Sequence, residues 1–437
     1  MTVRVCLLLT IVVAVSALAA WPRRSHAEAP DPSAGAVQPS AVSRPAGGAT
    51  ESIHQAALAW FDGAEAKVDK LIPVAEKAAE GILAGGTLYV AGNFGFVDEM
   101  FYRAGGFPFT QEWKGENLEA NDVLLVGRFR PNEAHTRYGK LSSIVPAYGR
   151  RFGRGMVVHL ASHKWPQIGR LADMANQGRW GDRLALVDTG APHGASMSDL
   201  CVGQMATTAL AWAFSGELIA AATRKGKTLA TYASDWEPNG RAWDASVKDK
   251  HVHPTYSVPP VQPGRIGKEY LKICRGQVAA FLTTQPEQVR LAGARMAACL
   301  KRGGVVWITC DGHIHPRGSL VPRELPGMFL HGRSYDWRYY SRRIGRSDAL
   351  LYMGYLRYPK HFADAAVGRG AQAVVVAVDP GPTNEQLTSI RGCWKDYDTV
   401  IELPKYPIRV LPSSGVVQTP QWYSLMAETL AAYNGKR

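Results

Sequence analysis

The sequence predicts an α/β protein built from two Rossmann-like, flavodoxin-like α/β/α domains, each a parallel sheet between helical layers, related by internal duplication. Three observations carry this. Short apolar runs alternate with stretches of helical periodicity, as expected of parallel strands joined by crossover helices. The order helix, Gly-Gly, apolar run, polar loop occurs twice, at Gly85-Gly86 and at Gly303-Gly304. At 437 residues the chain is long enough for two such domains.

In the first half, Ser52 and Gln55 have the spacing of a helix capping box. Helical apolar spacing then runs from Ile53 to Leu83, with Pro73 expected to split or kink it. Gly85-Gly86 stops the helix, and Thr87–Ala91 reads as a buried strand. In the second half, helical spacing begins near Ile266, and a new helix opens at Pro286, a favoured first-turn residue. Gly303-Gly304 ends it, and Val305–Thr309 is the next buried strand. The correspondence continues. Asn121-Asp122 precedes Val123–Val126 as Ser347-Asp348 precedes Ala349–Met353. Gly153-Arg-Gly155 precedes Met156–Leu160 as Gly368-Arg-Gly370 precedes Ala373–Ala377. Asp182 precedes Leu184–Val187 as Asp398 precedes Val400–Leu403. The proline-rich stretch 246–264 is the expected connection between domains at 52–245 and 265–437.

The N-terminus reads as an export signal. Arg4, the apolar run Val5–Ala20 and the small-residue site Ser25-His26-Ala27 have its layout, with cleavage expected after Ala27 or after Ala20. The run is short for a membrane span, and no further segment is expected to cross a membrane. Residues 28–51, rich in Pro, Ala, Ser and Gly, read as a flexible tether. The expected location is periplasmic or secreted. Loss of Arg4, Arg23 and Arg24 with the signal would lower the formal charge from +13 to about +10. Export, and basic residues spread through the sequence without a long run, argue against nucleic acid and leave anionic small molecules in play. The cysteines form no C-x-x-C pair, which excludes zinc-ribbon and thioredoxin readings. Of the tryptophans, a few could stack on sugars; most are expected in cores or interfaces.

The stretch from Leu88 to Gly106, LYVAGNFGFVDEMFYRAGG, resembles the first motif of the SIS (sugar isomerase) domain family, and its ending Glu99–Gly106 is close to a bacterial branch of SIS proteins. Val187-Asp-Thr-Gly-Ala-Pro-His-Gly194 and the helical stretch Thr207–Ala222 resemble later parts of that branch. In the more divergent second half, Cys310-Asp-Gly-His-Ile-His315 and Leu411-Pro-Ser-Ser-Gly415 also fit. The resemblance implies sugar-derivative binding at the C-terminal ends of the parallel strands, where open α/β sheets take ligands. Because SIS domains commonly pair, a homodimer or an intramolecular pseudo-dimer is expected.

Several residues are candidates for that site. In the first loop these are Gly92, Asn93 and Gly95, although Phe94 and Phe96 stand where small or hydroxyl residues are expected. The family's serine-rich second loop is missing; Arg128, Arg130 and Arg357 follow the next strands, and guanidinium suits an anion. Asp311, Gly312, His313, His315, Arg317 and Ser319 follow a buried strand, and imidazoles that titrate near neutrality suit proton transfer in sugar isomerisation. Ser413, Ser414 and Gly415 offer hydroxyls and a close backbone. Asp98-Glu99 could act as acid–base carboxylates or simply favour a helix N-terminus. His251-x-His253 and His313-x-His315 raise a zinc reading, but the expected site has neither metal nor cofactor. Three functions remain open: sugar-derivative binding with little turnover, a sugar-phosphate or amino-sugar isomerase or lyase, and a regulatory pseudoenzyme. Phosphosugars are scarce outside the cytoplasm, which weighs against the second.

Overall fold

The computed structural model describes residues 48–93, 95–101, 103–129, 154–164, 173, 181–192, 194, 196–310, 321, 322, 324–330, 337–355, 357–394 and 397–435. The expected export signal and residues 28–47 of the expected tether lie outside the described residues, whereas residues 49–51, also read as tether, belong to the first helix.

Helix α1 (Ala49–Asp62) is followed by α2 (Glu65–Leu83). The chain breaks between them at Gly63 and Ala64, and Pro73 lies inside a continuous α2, contrary to a split there. Nor does Ser52 cap α1, which begins earlier, at Ala49. Its first turn is held by Glu428, whose carboxylate accepts from the Thr50 amide at 3.1 Å and the Thr50 hydroxyl at 3.0 Å.

The first sheet contains β1 (Leu88–Gly92), β2 (Thr110–Glu112), β3 (Val123–Gly127), β4 (Met156–Ala161) and β5 (Leu184–Asp188), with α3 (Phe96–Met100) after β1. The second contains β6 (Val306–Cys310), β7 (Met328–Leu330), β8 (Ala349–Met353), β9 (Gln372–Ala377) and β10 (Leu387–Arg391). Both sheets are wholly parallel. The orders are β2-β1-β3-β4-β5 and β10-β9-β8-β6-β7, the same topology in each. Strands β3 and β8 are buried at every residue, which is why they read as unbroken apolar runs.

The remaining helices are α4 (Met197–Arg224), α5 (Gly240–Val247), α6 (Arg265–Thr284), α7 (Pro286–Lys301), α8 (Trp337–Arg343), α9 (Lys360–Val367) and α10 (Ser414–Tyr433). Helix α2 packs on α4 as α7 packs on α10, and α4 also packs on α10 and α6. One continuous core therefore joins the two sheets. Helix α4 is long and apolar enough to cross a membrane, which the sequence reading did not allow for, but it is buried along its length and serves as a core helix.

The fifth strand of the second half requires a correction. Val400–Leu403 does not join that sheet: β11 (Thr399–Ile401) pairs antiparallel with β12 (Val410–Pro412). The edge position is taken by β10, which follows β9 over a short connection. Asn384 holds that connection, its Oδ1 accepting from the amides of Gln386 and Leu387, each at 2.9 Å.

The two sheets share a device at atomic detail. Asp122 Oδ1 accepts from Thr87 N at 2.9 Å and Oδ2 from Glu119 N at 2.8 Å. Asp348 Oδ1 accepts from Val305 N at 2.8 Å and Oδ2 from Gly345 N at 2.8 Å. Each aspartate thus pins the start of the neighbouring strand. The adjoining glycine allows the approach: a Cβ on Gly86 would lie 1.9 Å from Asn121 O, and one on Gly304 2.1 Å from Ser347 O. Asp122→Ala and Asp348→Ala should each cost about 1–3 kcal/mol, because each strands two backbone donors. Urea titration should give similar losses for both, and a loss at only one would contradict the equivalence of the two sheets.

Candidate functional site

In sheets of this order the topological switch point lies between the first and third strands, at their C-terminal ends. In the first sheet that crevice is occupied by the protein itself. Gly92 and Gly127 end β1 and β3 in such close approach that a Cβ on Gly92, whose φ is +147°, would lie 2.2 Å from Gly127 O. A Cβ on Gly127 would meet the buried Phe96 ring at 2.3 Å. Asn93 is buried, its amide donating to Gly127 O at 3.0 Å and its Oδ1 accepting from Phe129 N at 2.8 Å. Gly95, with φ +101°, turns the chain into α3. Arg128 is buried too, its amide donating to Leu160 O and its carbonyl accepting from Thr207 Oγ1 at 3.3 Å.

The second switch point, between β6 and β8, is bordered by groups from both halves. Gly354 follows β8; its carbonyl accepts from Gln418 Nε2 of α10 at 2.8 Å. Tyr355 O accepts from Trp394 Nε1 at 3.1 Å. Burial pushes the pKa of the Tyr355 hydroxyl well above the ordinary phenol value, and Ser234, a nearby first-half residue, pulls it down. Arg357 is exposed and bridges through its backbone to Asp379. Asp311, Gly312, His313, His315, Arg317 and Ser319 lie outside the described residues, as does Arg130.

Glu99, Ser413, Ser414 and Gly415, assigned from sequence to different loops, come together at the N-terminus of α10 with two residues that the sequence reading did not assign to a site. Arg103 Nη1 lies 3.2 Å from Glu99 Oε2, and Nη2 lies 2.6 Å from Asp398 Oδ2. Arg103 also donates to Ser414 Oγ. Asp398 Oδ1 accepts from the amides of Ser413, at 3.0 Å, and Ser414. The Ser414 hydroxyl donates to Asp398 Oδ2 at 2.7 Å, and Trp212 Nε1 donates to Glu99 Oε1 at 3.1 Å. Every one of these side chains is buried. The guanidinium thus spans a carboxylate from each half, and the positive end of α10 adds to the compensation. Burial pushes the Asp398 carboxyl up, while Arg103 pulls it down. Arg103 itself rises, burial being outweighed by Glu99 and Asp398.

The sequence held a partial signal for this network. Glu99 and Arg103 stand four apart inside the stretch that carries the SIS resemblance, but their partners Asp398 and Ser414 are far along the chain. Tyr355 and Ser234 gave no sequence signal. The His251-x-His253 pair does not converge. His251 Nε2 bonds Gly86 O at 2.9 Å, whereas His253 Nδ1 accepts from Thr255 N and Tyr256 N at 3.1 and 3.2 Å.

Comparison with solved structures gives the fold a counterpart. The C-terminal domain of glucosamine-fructose-6-phosphate aminotransferase from Francisella tularensis superposes with a TM-score of 0.50 at 8% identity, over 88% of this chain and 96% of that one. The chain has the SIS fold. Looser matches are a Silicibacter pomeroyi DSS-3 protein assigned as a phosphosugar isomerase (TM-score 0.38, 11% identity, 88% of this chain and 98% of that one) and a Salmonella typhimurium LT2 protein assigned to sugar binding (TM-score 0.43, 10% identity, 86% and 99%). No protein-family model matches the sequence, and no curated protein matches it.

Two buried histidines contribute to how this core responds to acid. Burial lowers His54 to about 4. Burial, with Arg128 and His163 nearby, lowers His159 to about 3. Both are neutral in the fold, so their contribution is present above the unfolded value near 6.5 and is lost as pH falls below it. Asp244, raised to about 6 mainly by burial, acts with the opposite sign but is half-exposed, so solvent screens its effect. Between pH 7 and pH 4 the His54 linkage should remove on the order of 3 kcal/mol. His54→Phe should flatten that decline in urea titrations; an unchanged pH dependence would refute the assignment.

Proposed function

We propose that this chain is an exported tandem pair of SIS units that binds a carbohydrate derivative at the second-half switch point, with little or no turnover. The observation that carries the reading is the asymmetry of the two crevices. Phe96, Gly127 and Asn93 fill the first, and Asn93 Oδ1 is spent on a backbone amide. The second is bordered by polar groups from both halves: Tyr355, Ser234 and Gln418. Sugar hydroxyls need such partners, since an unpaired buried polar group costs about 1–3 kcal/mol. The name of the Francisella tularensis counterpart, a domain of a glucosamine-fructose-6-phosphate aminotransferase, favours a sugar derivative as ligand. Glu99 supports low turnover: it is wholly buried and engaged by Arg103 and Trp212, so it serves the frame and not an acid–base step.

A thermal-shift screen of sugar phosphates, amino sugars and muramic derivatives, followed by a turnover assay on each hit, tests this. A hit without turnover is the expected result. His313→Ala should weaken binding of that hit, whereas Phe96→Ala should lower stability and leave affinity intact. Turnover of a hit would favour an isomerase or lyase, and silence across the screen would favour a closed pseudoenzyme.

A further inference from the structure

The turn after Ser234 belongs to the first half but borders the second crevice. Trp236 N donates to Ser234 Oγ at 3.3 Å and Glu237 N to Ser234 O at 2.9 Å. Gly240 closes the turn, where a Cβ would lie 2.0 Å from Ser234 O. Ser234 is buried and lies near Tyr355, two residues after the end of β8.

The base of the turn is fixed from below. Trp243 Nε1 donates to Thr231 O at 2.8 Å, Tyr406 and Thr231 share a 3.0 Å hydroxyl contact, and Ala233 N donates to Asp244 Oδ1 at 2.7 Å. Trp243 also packs on His253, Tyr256 and Tyr406, with ring centroids 4.7, 5.5 and 5.4 Å apart. On this rigid base Trp236 is 59% exposed, the most exposed large hydrophobic side chain among the described residues.

A single exposed apolar side chain is ordinary on a protein surface. This one sits on an anchored turn, at the sheet edge where open α/β folds take ligands, and it has carboxylates for neighbours. Asp235, Glu237 and Asp244 cluster there, in a chain with a formal charge of +13. The facing cations are Arg241, 3.7 Å from Asp235, and Arg409, which acts on Glu237 and lies 3.3 Å from Glu402. Arg357, exposed two residues after Tyr355 at the same crevice, is a third cation; the four carboxylates exceed the three, so the field at the turn favours an ammonium group over a phosphate. An indole face receives both the C–H face of a pyranose and a cation.

We infer that Trp236 and Glu237 form a recognition turn for a cationic, unphosphorylated amino sugar bound at the second-half crevice. The inference rests on the reading that this crevice takes a carbohydrate derivative. Pre-ordering of the turn lowers the entropic cost of binding.

Calorimetric titration of the full chain with glucosamine, N-acetylglucosamine and glucose 6-phosphate tests it. Glucosamine should bind at least about ten-fold more tightly than N-acetylglucosamine, which keeps the ring and loses the charge, and more tightly than glucose 6-phosphate. Trp236→Ala and Glu237→Gln should each weaken glucosamine binding by about ten-fold or more while thermal unfolding stays unchanged. Preference for glucose 6-phosphate or N-acetylglucosamine, or full affinity in both variants, would overturn the recognition turn and leave the carbohydrate reading standing. No binding of any of the three sugars would overturn the recognition turn, and silence in the wider screen would overturn the carbohydrate reading as well.

Discussion

Replacing Arg103 by alanine is expected to cost about 3–5 kcal/mol, or to prevent folding, because it leaves two buried carboxylates without their shared cation. Glu99 and Asp398 have essentially no exposure to water and cannot be resolvated in place. Ser414 would lose a partner at the same time. Lysine should not rescue, since one ammonium cannot reproduce separate Nη1 and Nη2 contacts to carboxylates from opposite halves. Removing the charges together, with Glu99→Gln, Arg103→Met and Asp398→Asn, should recover part of the loss. Urea titration of the single and triple variants is the check. A loss below about 1 kcal/mol in Arg103→Ala would mean that the network contributes no more than an exposed ion pair.

Gly415→Ala should be nearly as damaging for a steric reason. A Cβ at that position would lie 2.2 Å from Glu99 Oε1 and 2.3 Å from its Cδ, with both residues buried. The carboxylate could move aside only by giving up Trp212 and Arg103. Overpacking of this kind costs about 1–3 kcal/mol, and disturbance of the ion network adds to it. Shortening Glu99 to alanine in the same chain should relieve the clash. A double-mutant cycle should therefore show a coupling of about 1–3 kcal/mol between the two positions. Strict additivity would place Glu99 away from the helix terminus.

The central strands were legible because their physics is local. Val123–Val126 and Ala349–Met353 are buried on both faces and read as continuous apolar runs between turn signals. The edge strands were not. Residues 110–112 and 328–330 contribute only three residues each, and Leu387–Arg391 carries Thr388 and Ser389 in place of an apolar run. Val400-Ile401 has the better strand composition, yet it pairs with Val410–Pro412 outside the main sheet. Propensity identifies an extended segment and leaves its partner open.

The candidate site was legible residue by residue and not as an assembly. Glu99 stood out as a carboxylate beside the first loop, and Ser413 and Ser414 as hydroxyls before the last helix. Their meeting depends on α4 packing against α10, which no local pattern encodes. Asp398 was read as a strand-opening residue; its φ of +68° instead turns its carboxylate onto the α10 amides. Phe96 stood out as a ring where a small or hydroxyl residue is expected, and it fills the space beside Gly127. Tyr355 and Ser234 were invisible, since a lone tyrosine and a lone serine acquire meaning only from the fold that pairs them.

The central claim is that the ligand occupies the second-half crevice and draws on both halves. Hydrogen exchange read by mass spectrometry, with and without a sugar that scores in the thermal screen, tests it most directly. The account predicts slowed exchange in peptides covering 231–237 and 354–358, with none at 92–96 or 127–129. Protection confined to 92–96 and 127–129 would contradict it and move the site to the first sheet.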